Sequence, residues 1–272
     1  MKKNIILTIL SILLLQNTVF ANVIKFVQVT DSHFIAKNEY RTEVLQETVN
    51  SINKEKDISF VVFTGDNLDS PKEQYLPDFV KIINKLNVPY YIVIGNHDVF
   101  KQNGLSKAHY LEIIKDYNYF YKYKKPNYVF KQNGFVFIVL DGAKEVIPGS
   151  NGFYKENTLS WLDKQLKKYK NDPVIIFQHF PIVMTKERPT HTVYQKDKYL
   201  DILDKHDNVI SIISGHIHIN DEVMRNGVYH ITSPTLLNTP PVYKIITVST
   251  TKGFSPMIYT ELKEVEMPKS QE

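Results

Sequence analysis

Residues able to bind a metal ion or move a proton recur at five points of the sequence, each directly after an apolar run. They are Asp31 with His33, Asp66, Asn96 with His97, His179, and His216 with His218. Residues two apart in an extended chain project to the same side, so Asp31 and His33 can grip one cation together, as can His216 and His218. Oxygen and imidazole donors in a chain without cysteine suit Mn, Fe, Zn, Ni or Co better than Ca.

The candidate ligands outnumber what one ion needs. Two ions about 3.5–4 Å apart that share a carboxylate would use them all, and such a pair stabilises an in-line displacement at phosphorus. The alternative for each position is structural: the stretch Gly95-Asn96-His97-Asp98 alone also fits an ordinary turn, because Asn, Asp and Gly dominate turns. The recurrence of such residues at five strand ends favours the metal site.

The elements before these residues follow a pattern of apolar strands alternating with amphipathic helices, which is typical of βαβ layering. We predict strands over 23–30, 58–64, 90–94, 174–177 and 209–214. We predict helices over 39–54, 74–86, 105–119, 158–169 and 199–206. Two Asn-Gly pairs, at 133–134 and 226–227, predict hairpin turns. Because loops at the carboxyl ends of strands converge on one edge of such a sheet, we expect the polar residues to meet there.

In its motifs and their order the chain resembles the calcineurin-like metallophosphoesterase superfamily. The motifs are Asp31-x-His33, Gly65-Asp66-x-x-Asp69, Gly95-Asn96-His97-Asp98, His179 and Gly215-His216-x-His218. The resemblance covers residues 31–218 and implies an α/β fold of four layers. In that fold two mixed β-sheets pack as a sandwich flanked by helices, with the metal site at the carboxyl ends of the strands.

The resemblance also implies a role for each site residue. One metal ion would be bound by Asp31, His33 and His218, the other by Asn96, His179 and His216, and Asp66 would bridge the two. A water or hydroxide between the ions would be the nucleophile. His97 would stay free of metal and serve the leaving group as general acid or position the phosphoryl group, Asp69 would orient His97, and Asp98 would brace the loop.

Departures from two branches of the superfamily narrow the comparison. Purple acid phosphatases carry a metal-bound tyrosine near position 69 and no histidine at 33, whereas this chain has Asp69 and His33. Protein serine/threonine phosphatases continue with Arg-Gly where this chain has Ser70-Pro71. The remaining similarity is to the small bacterial branch that resembles cyclic-nucleotide phosphodiesterases, and it leaves phosphomonoesters and phosphodiesters both open. An inactive metal-binding or scaffold protein of the same fold is the alternative.

One further residue, Arg188, lies in the irregular segment that follows His179. The predicted architecture places this segment near the metals, and a guanidinium can hold a phosphate oxygen with two hydrogen bonds. Arg188 is therefore a candidate for binding substrate. The alternative is an ordinary arginine of a surface loop.

The N-terminus has the features of a secretory signal peptide. Residues 1–3 are Met-Lys-Lys, residues 5–15 are mostly apolar, and Val19 and Ala21 supply the small residues of a cleavage site after Ala21. The apolar run is too short to span a bilayer comfortably, although an uncleaved anchor is the alternative. We expect a periplasmic or secreted protein whose single domain covers 22–262, with a polar tail at 263–272. Without Lys2 and Lys3, 31 basic residues face 29 acidic ones, so bulk charge gives no support for nucleic-acid binding.

Overall fold

The computed structural model describes residues 21–268, so the expected signal peptide lies outside this range except for Ala21. The strands are β1 (Asn22–Val29), β2 (Val61–Thr64), β3 (Tyr90–Val93), β4 (Tyr128–Gln132), β5 (Phe135–Val139), β6 (Gly152–Phe153), β7 (Val174–Phe177), β8 (Val193–Tyr194), β9 (Val209–Ser214), β10 (Asp221–Arg225), β11 (Val228–Thr232), β12 (Val242–Thr250) and β13 (Met257–Glu264). The α-helices are α1 (Glu39–Lys54), α2 (Leu76–Ile83), α3 (Lys107–Tyr117), α4 (Glu156–Lys168) and α5 (Lys196–Leu203).

Two mixed sheets carry the fold. The first has the order β13-β12-β1-β2-β3, in which β1, β2 and β3 are parallel and the other pairs antiparallel. The second has the order β10-β11-β9-β7-β5-β4, in which β11, β9, β7 and β5 are parallel. The short strands β6 and β8 pair separately. Because the central strands of each sheet are parallel, their carboxyl ends lie together at one edge.

The space between the sheets is filled largely by aromatic side chains. Phe26 and Phe60 stack at 4.9 Å between ring centroids, and Phe137 and Phe177 of the opposite sheet stack at 5.6 Å. Phe26 meets both of the latter rings edge-on. Such offset and edge-to-face pairs add roughly 0.5–1.5 kcal/mol each beyond the area they bury. This aromatic layer holds the two sheets in one arrangement.

Helices cover the outer faces, which gives the predicted four layers. In β1 the side chains alternate, so that Phe26 enters the aromatic layer while Val27 and Val29 join the cluster that packs against the helices. Helix α1 buries Val44, Leu45, Thr48, Val49 and Ile52 at helical spacing, and the Asn38 side chain caps it by accepting from the Arg41 N–H. The predicted fold class, a sandwich of two mixed sheets flanked by helices, is confirmed.

Most predicted elements lie where the sequence placed them, and the differences are at their ends. Helix α2 begins only at Leu76, after a short 3₁₀ turn, and has Pro77 at its first turn, where the missing N–H costs nothing. Strand β13 runs to Glu264, past the expected start of the polar tail at 263, because Lys263 and Glu264 still pair with Tyr243 and Val242. Among residues 21–268, no helix is long and apolar enough to cross a membrane.

Candidate metal centre

The predicted ligands follow the carboxyl ends of β1, β2, β3, β7 and β9, at one edge of the sandwich. Five of them adopt a left-handed backbone with positive φ: Asp31 (51°), His33 (41°), Asp66 (48°), His216 (72°) and His218 (55°). Residues other than glycine rarely adopt this region, and each such case costs of order 1–3 kcal/mol. Strain of this kind, concentrated in three loops that meet, marks a site whose geometry the surrounding structure imposes.

Asp31, His33 and His218 form the first cluster. Asp31 Oδ1 lies 3.2 Å from His218 Nε2, and the Nε2 atoms of His33 and His218 lie 3.3 Å apart. Asp31 Oδ2 is engaged elsewhere, since it accepts hydrogen bonds from Thr30 Oγ1 (2.6 Å) and from the His216 N–H (2.9 Å). One carboxylate oxygen and two ring nitrogens are thus directed at a single point.

Asn96, His179 and His216 form the second cluster. His179 Nε2 lies 3.2 Å from both Asn96 Oδ1 and His216 Nδ1. The other ring nitrogens are held by main-chain carbonyls: His179 Nδ1 donates to Thr64 at 2.9 Å and His216 Nε2 donates to Ser150 at 2.7 Å. Metal-binding histidines are commonly oriented by such an outer hydrogen bond, which also fixes the tautomer.

Asp66 lies between the two clusters. Its Oδ2 is 3.3 Å from His179 Nε2, and its carboxylate is also within reach of His33 on the first side. Its Oδ1 accepts a hydrogen bond of 2.8 Å from the His97 N–H. With only 2% of its surface exposed, Asp66 is placed to share an oxygen with an ion on either side.

The electrostatics of the site favour cations. Burial alone would raise the pKa of Asp31 and Asp66, but a hydrogen bond from His218 to Asp31 and the charge of His179 beside Asp66 hold both pKa values below the ordinary range. Burial would lower the pKa of His179, whereas the fields of Asp66 and Asp31 raise it to about 9. Two ionised carboxylates this deeply buried require positive charge beside them.

The tautomers of the histidines lead to the same conclusion. Since His179 Nδ1 and His216 Nε2 both donate to carbonyls, the nitrogens that face each other at 3.2 Å each present a lone pair when the rings are neutral. Two facing lone pairs repel unless a proton or a cation lies between them. The residues present therefore fit two transition-metal ions of the borderline type that binds imidazole and carboxylate.

His97 lies at the rim of this site, with its ring exposed. Its Nδ1 is 2.7 Å from the main-chain oxygen of Asp69. Because a carbonyl only accepts, Nδ1 carries the proton, and Nε2 is left to exchange a proton with a ligand. We expected an acidic partner for His97 at position 69; Asp69 does contact His97, but through its carbonyl and not through its carboxylate.

Asp98 points away from His97 and into the protein, where it is fully buried. Its Oδ2 accepts from the Gly95 N–H (2.7 Å) and from Asn67 Nδ2 (3.1 Å), and its Oδ1 accepts from the Leu68 N–H (2.9 Å). Burial, with the charge of Asp66 adding to it, raises the pKa of Asp98 to about 7. These contacts tie the loop after β3 to the loop after β2, so Asp98 braces the loop as expected.

Glycine is required at two of the strand ends by the closeness of the neighbouring loops. A Cβ atom at Gly95 would collide with the backbone N and Oδ1 of Asp66, and one at Gly215 would collide with Thr30 Oγ1 and with Asp31 Oδ2, 2.5 Å away. Neither collision involves a side chain that is free to move, because both carboxylates are held in hydrogen bonds. The two glycines let the loops approach until the ligands meet.

Several groups that position the site were not predicted. The carbonyls of Ser150 and Thr64 orient His216 and His179, and main-chain oxygens leave no mark in a sequence. Gln28, fully buried in β1, donates to Thr64 Oγ1 (2.9 Å) and to the Ser214 carbonyl (2.8 Å), which links the two sheets beneath the site. A glutamine within an apolar strand was the available signal for it.

Arg188, the candidate for binding substrate, is not brought into the cluster. It lies exposed in a turn closed by the His191 N–H, which donates to the Arg188 carbonyl at 2.9 Å. His191 of the same segment does reach the site, where its ring lies 5.1 Å from that of His216. The segment therefore borders the second cluster through His191.

Comparison with known proteins places this geometry in a family. The family model for calcineurin-like phosphoesterases matches residues 24–220. The chain is 27% identical, over 76% of both chains, to a probable glycerophosphodiester phosphodiesterase of Arcobacter nitrofigilis. It is 27% identical to a probable cyclic nucleotide phosphodiesterase of Colwellia psychrerythraea over 82% of this chain and 81% of the relative. It is also 27% identical to a manganese-dependent ADP-ribose/CDP-alcohol diphosphatase of Arabidopsis thaliana, over 73% of this chain and 77% of the relative.

Among solved structures, the fold is similar to that of a dimetal phosphatase from Danio rerio. The TM-score is 0.65 at 18% sequence identity, and the match covers 87% of this chain and 98% of that one. The family depends on two metal ions and hydrolyses phosphoester bonds, and the two ligand clusters joined by Asp66 accord with this. This chain belongs to the calcineurin-like phosphoesterase family.

Proposed function

We propose that this protein is a periplasmic or secreted phosphodiesterase with two manganese ions. The observation that carries the proposal is the convergence of two ligand clusters on Asp66 beside His97. The Asp69 carbonyl holds Nδ1–H of His97, so Nε2 is the nitrogen that can transfer a proton. Two of the relatives are named as phosphodiesterases and one as manganese-dependent, which supports the choice of ester and of metal. Every ligand position is intact, so no observation favours an inactive scaffold.

The protein's own residues divide the work at the site. Asp31, His33 and His218 would hold one ion, Asn96, His179 and His216 the other, and Asp66 both. When bound, the ions act as Lewis acids towards the phosphoryl oxygens and lower the pKa of an attacking water. The carbonyls of Thr64 and Ser150 keep His179 and His216 in the tautomers that present Nε2 and Nδ1 inwards.

His97 would act on the departing alcohol. In its protonated form the Nδ1–H is bonded to the Asp69 carbonyl, and the Nε2–H can donate to the leaving-group oxygen. Proton transfer of this kind typically contributes 10²–10⁴-fold to the rate. The exposure of His97 at the rim fits a group that meets the outer half of the substrate.

The test is hydrolysis of bis(p-nitrophenyl) phosphate and of p-nitrophenyl phosphate by protein loaded with Mn²⁺, Fe²⁺ or Zn²⁺. We expect turnover of both, with a higher kcat/KM for the diester and with Mn²⁺. Elemental analysis should find close to two ions per chain. Absence of turnover on mono-, di-, cyclic and diphosphate esters with every metal would refute the function.

The location outside the cytoplasm rests on the sequence of residues 1–21. N-terminal sequencing of the protein purified from the extracytoplasmic fraction should begin at Asn22. Recovery in the membrane fraction with Met1 retained would show instead that the segment is an uncleaved anchor. Recovery from the cytoplasm would refute the proposed location.

A further inference from the structure

A cleft of about 800 Å³ opens beside the metal centre, and Asn96 and His97 form part of its wall. Residues 69–71 after β2 and Phe100 after β3 line one side. Residues 146–150, in the loop that follows β5, line the other. Because His97 Nε2 is the proton donor at the rim, this cleft is where the half of a substrate beyond His97 would lie.

The loop that forms the far wall is fixed at both ends. At one end the Glu145 carboxylate accepts from the Lys107 N–H (2.8 Å), and the Glu145 carbonyl accepts from the Lys101 N–H (2.7 Å). At the other end the Ser150 carbonyl accepts from His216, and Ser150 Oγ donates to the Thr190 carbonyl at 2.5 Å. The wall is therefore a held surface whose position is tied to a candidate metal ligand.

Between those two anchors the loop presents apolar side chains to solvent. Val146 is 54% exposed and Ile147 is 76% exposed, and both line the cleft. Aliphatic side chains held at the mouth of a cleft, opposite Phe100, provide a surface for an apolar or aromatic group. They contribute nothing to the metal site itself, so their placement points to a ligand.

The charge of the cleft is equally informative. The lining of the cleft includes the carboxylate of Asp69. Within residues 21–268, no lysine or arginine lines the cleft. The Lys107 ammonium is engaged by the Asp141 carboxylate and the Ala143 carbonyl, and that of Lys144 lies over the Tyr194 ring at 5.2 Å. The lining thus supplies a second phosphate with no lysine or arginine and sets the Asp69 carboxylate beside it. The Lys144 ammonium, which borders the wall at 3.4 Å from the position of a Cβ on Gly149, is held over the Tyr194 ring.

We propose that this cleft binds the leaving alcohol of a phosphodiester and selects alcohols that carry an apolar or aromatic portion and no phosphate of their own. The inference rests on the proposed function. In the reaction, the oxygen of a water forms a bond to phosphorus and the bond from phosphorus to the alcohol oxygen breaks. His97 supplies the proton that the alcohol takes up, the water loses one to solvent, and the products are a phosphomonoester and an alcohol.

The kinetic experiment compares two substrates that differ in the departing half. One is bis(p-nitrophenyl) phosphate, which releases an aryl alcohol; the other is the diphosphate ADP-ribose, in which the bond that breaks joins two phosphates, so that the departing half leaves as a phosphate. We expect wild type to have the higher kcat/KM for bis(p-nitrophenyl) phosphate. Ile147→Lys should lower this kcat/KM about tenfold, mainly by raising KM, and should therefore reduce the ratio of the two kcat/KM values. Met224→Lys, which places a lysine on another exposed apolar position (56% exposed) in β10, is the control and should leave kcat/KM unchanged for both substrates.

Two kinetic results would overturn the inference: a wild-type preference for ADP-ribose, or an unchanged ratio of the two kcat/KM values in Ile147→Lys. A binding measurement keeps the test independent of turnover. In the zinc-loaded protein, benzyl alcohol should shift the NMR resonances of Phe100, Val146 and Ile147 in wild type and in Met224→Lys, and shift them much less in Ile147→Lys.

The two proposals fail differently. If no metal-loaded protein cleaves any phosphoester while benzyl alcohol still shifts these resonances, the proposed function is wrong and the specificity of the cleft for apolar alcohols stands. If turnover is observed but benzyl alcohol shifts none of them, the function stands and the cleft does not bind the leaving alcohol.

Discussion

His97 Nδ1 and the main-chain oxygen of Asp69 lie 2.7 Å apart, so the candidate general acid is oriented by backbone. A side-chain substitution at 69 leaves this carbonyl in place. We therefore expect Asp69→Asn to keep kcat for bis(p-nitrophenyl) phosphate within about tenfold of wild type, whereas His97→Ala loses roughly 10²–10⁴-fold. Both variants should retain their metal by elemental analysis.

The outcome for Asp69 distinguishes the two possible partners of His97. A loss in Asp69→Asn as large as that in His97→Ala would show that the carboxylate, and not the carbonyl, orients the ring. Unchanged turnover in His97→Ala would remove its role as proton donor altogether.

Metal binding should depend on Asp66 more than on any residue that reaches a single cluster. Replacing its shared carboxylate in Asp66→Asn removes one negative charge from both ion sites, and we expect metal content to fall well below two ions per chain. Wild type should show a lower Tm after chelation and recover it when Mn²⁺ is restored, because the buried Asp31 and Asp66 carboxylates lose their compensating charge. Asp66→Asn should respond much less to the chelator.

Gly215→Ala tests whether the close approach of loops is necessary. The new Cβ would collide with Thr30 Oγ1 and Asp31 Oδ2, so we expect lost metal and at least a hundredfold lower kcat/KM, since a displacement of about 1 Å can cost that much. Gly227→Ala, in the turn between β10 and β11, is the control: no atom lies within 4 Å of its new Cβ, and its φ of 80° costs only a little stability. Equal activity of the two variants would contradict the argument.

Asp98 should matter for stability through the donors it satisfies. Asp98→Ala leaves the buried N–H groups of Leu68 and Gly95 without their acceptor and removes one acceptor of Asn67 Nδ2, which keeps the Val93 carbonyl at 3.0 Å. We expect a loss of about 3 kcal/mol in the free energy of unfolding. Urea denaturation measures it. Asp116→Ala, at an exposed position of α3, should stay within about 0.5 kcal/mol of wild type. A loss below 1 kcal/mol in Asp98→Ala would refute the bracing role.

The buried His230 should account for part of the loss of folding stability at acid pH. Burial, with the charge of Arg225 adding to it, lowers the pKa of His230 from 6.5 to about 4. Between these values the unfolded chain binds a proton that the folded protein does not, so stability is complete above about pH 6.5 and falls as the pH drops towards 4. Between about pH 6.5 and about pH 4 the free energy of unfolding falls by about 3 kcal/mol on account of His230.

The measurement is urea unfolding of chelator-treated wild type and His230→Gln at neutral pH and near pH 4. Because glutamine does not titrate, the variant should lose about 3 kcal/mol less between the two pH values than wild type. Equal losses in the two proteins would show that His230 does not contribute. The other histidines are common to both proteins and cancel in the comparison.

The sequence by itself determined which residue types stand at the strand ends, and thereby the fold class and the resemblance to the family. That Asp31 pairs with His33, and His216 with His218, can be predicted from the sequence because side chains two residues apart in an extended chain point to the same side. The apolar runs before them specify buried parallel strands for the same local reason. Asp98 was likewise assigned to bracing, since adjacent residues point apart.

Only the tertiary structure decided which atoms meet. That His97 is held by the carbonyl of Asp69, and His216 by the carbonyl of Ser150 from a loop 66 residues away in sequence, could not be predicted, because every residue carries the same main-chain oxygen. The position of Arg188 outside the cluster, and of Val146 and Ile147 beside it, depends on how long loops return over the sheet edge. Residue types at strand ends specify a metal site, whereas packing between distant loops specifies the tautomers and the cleft.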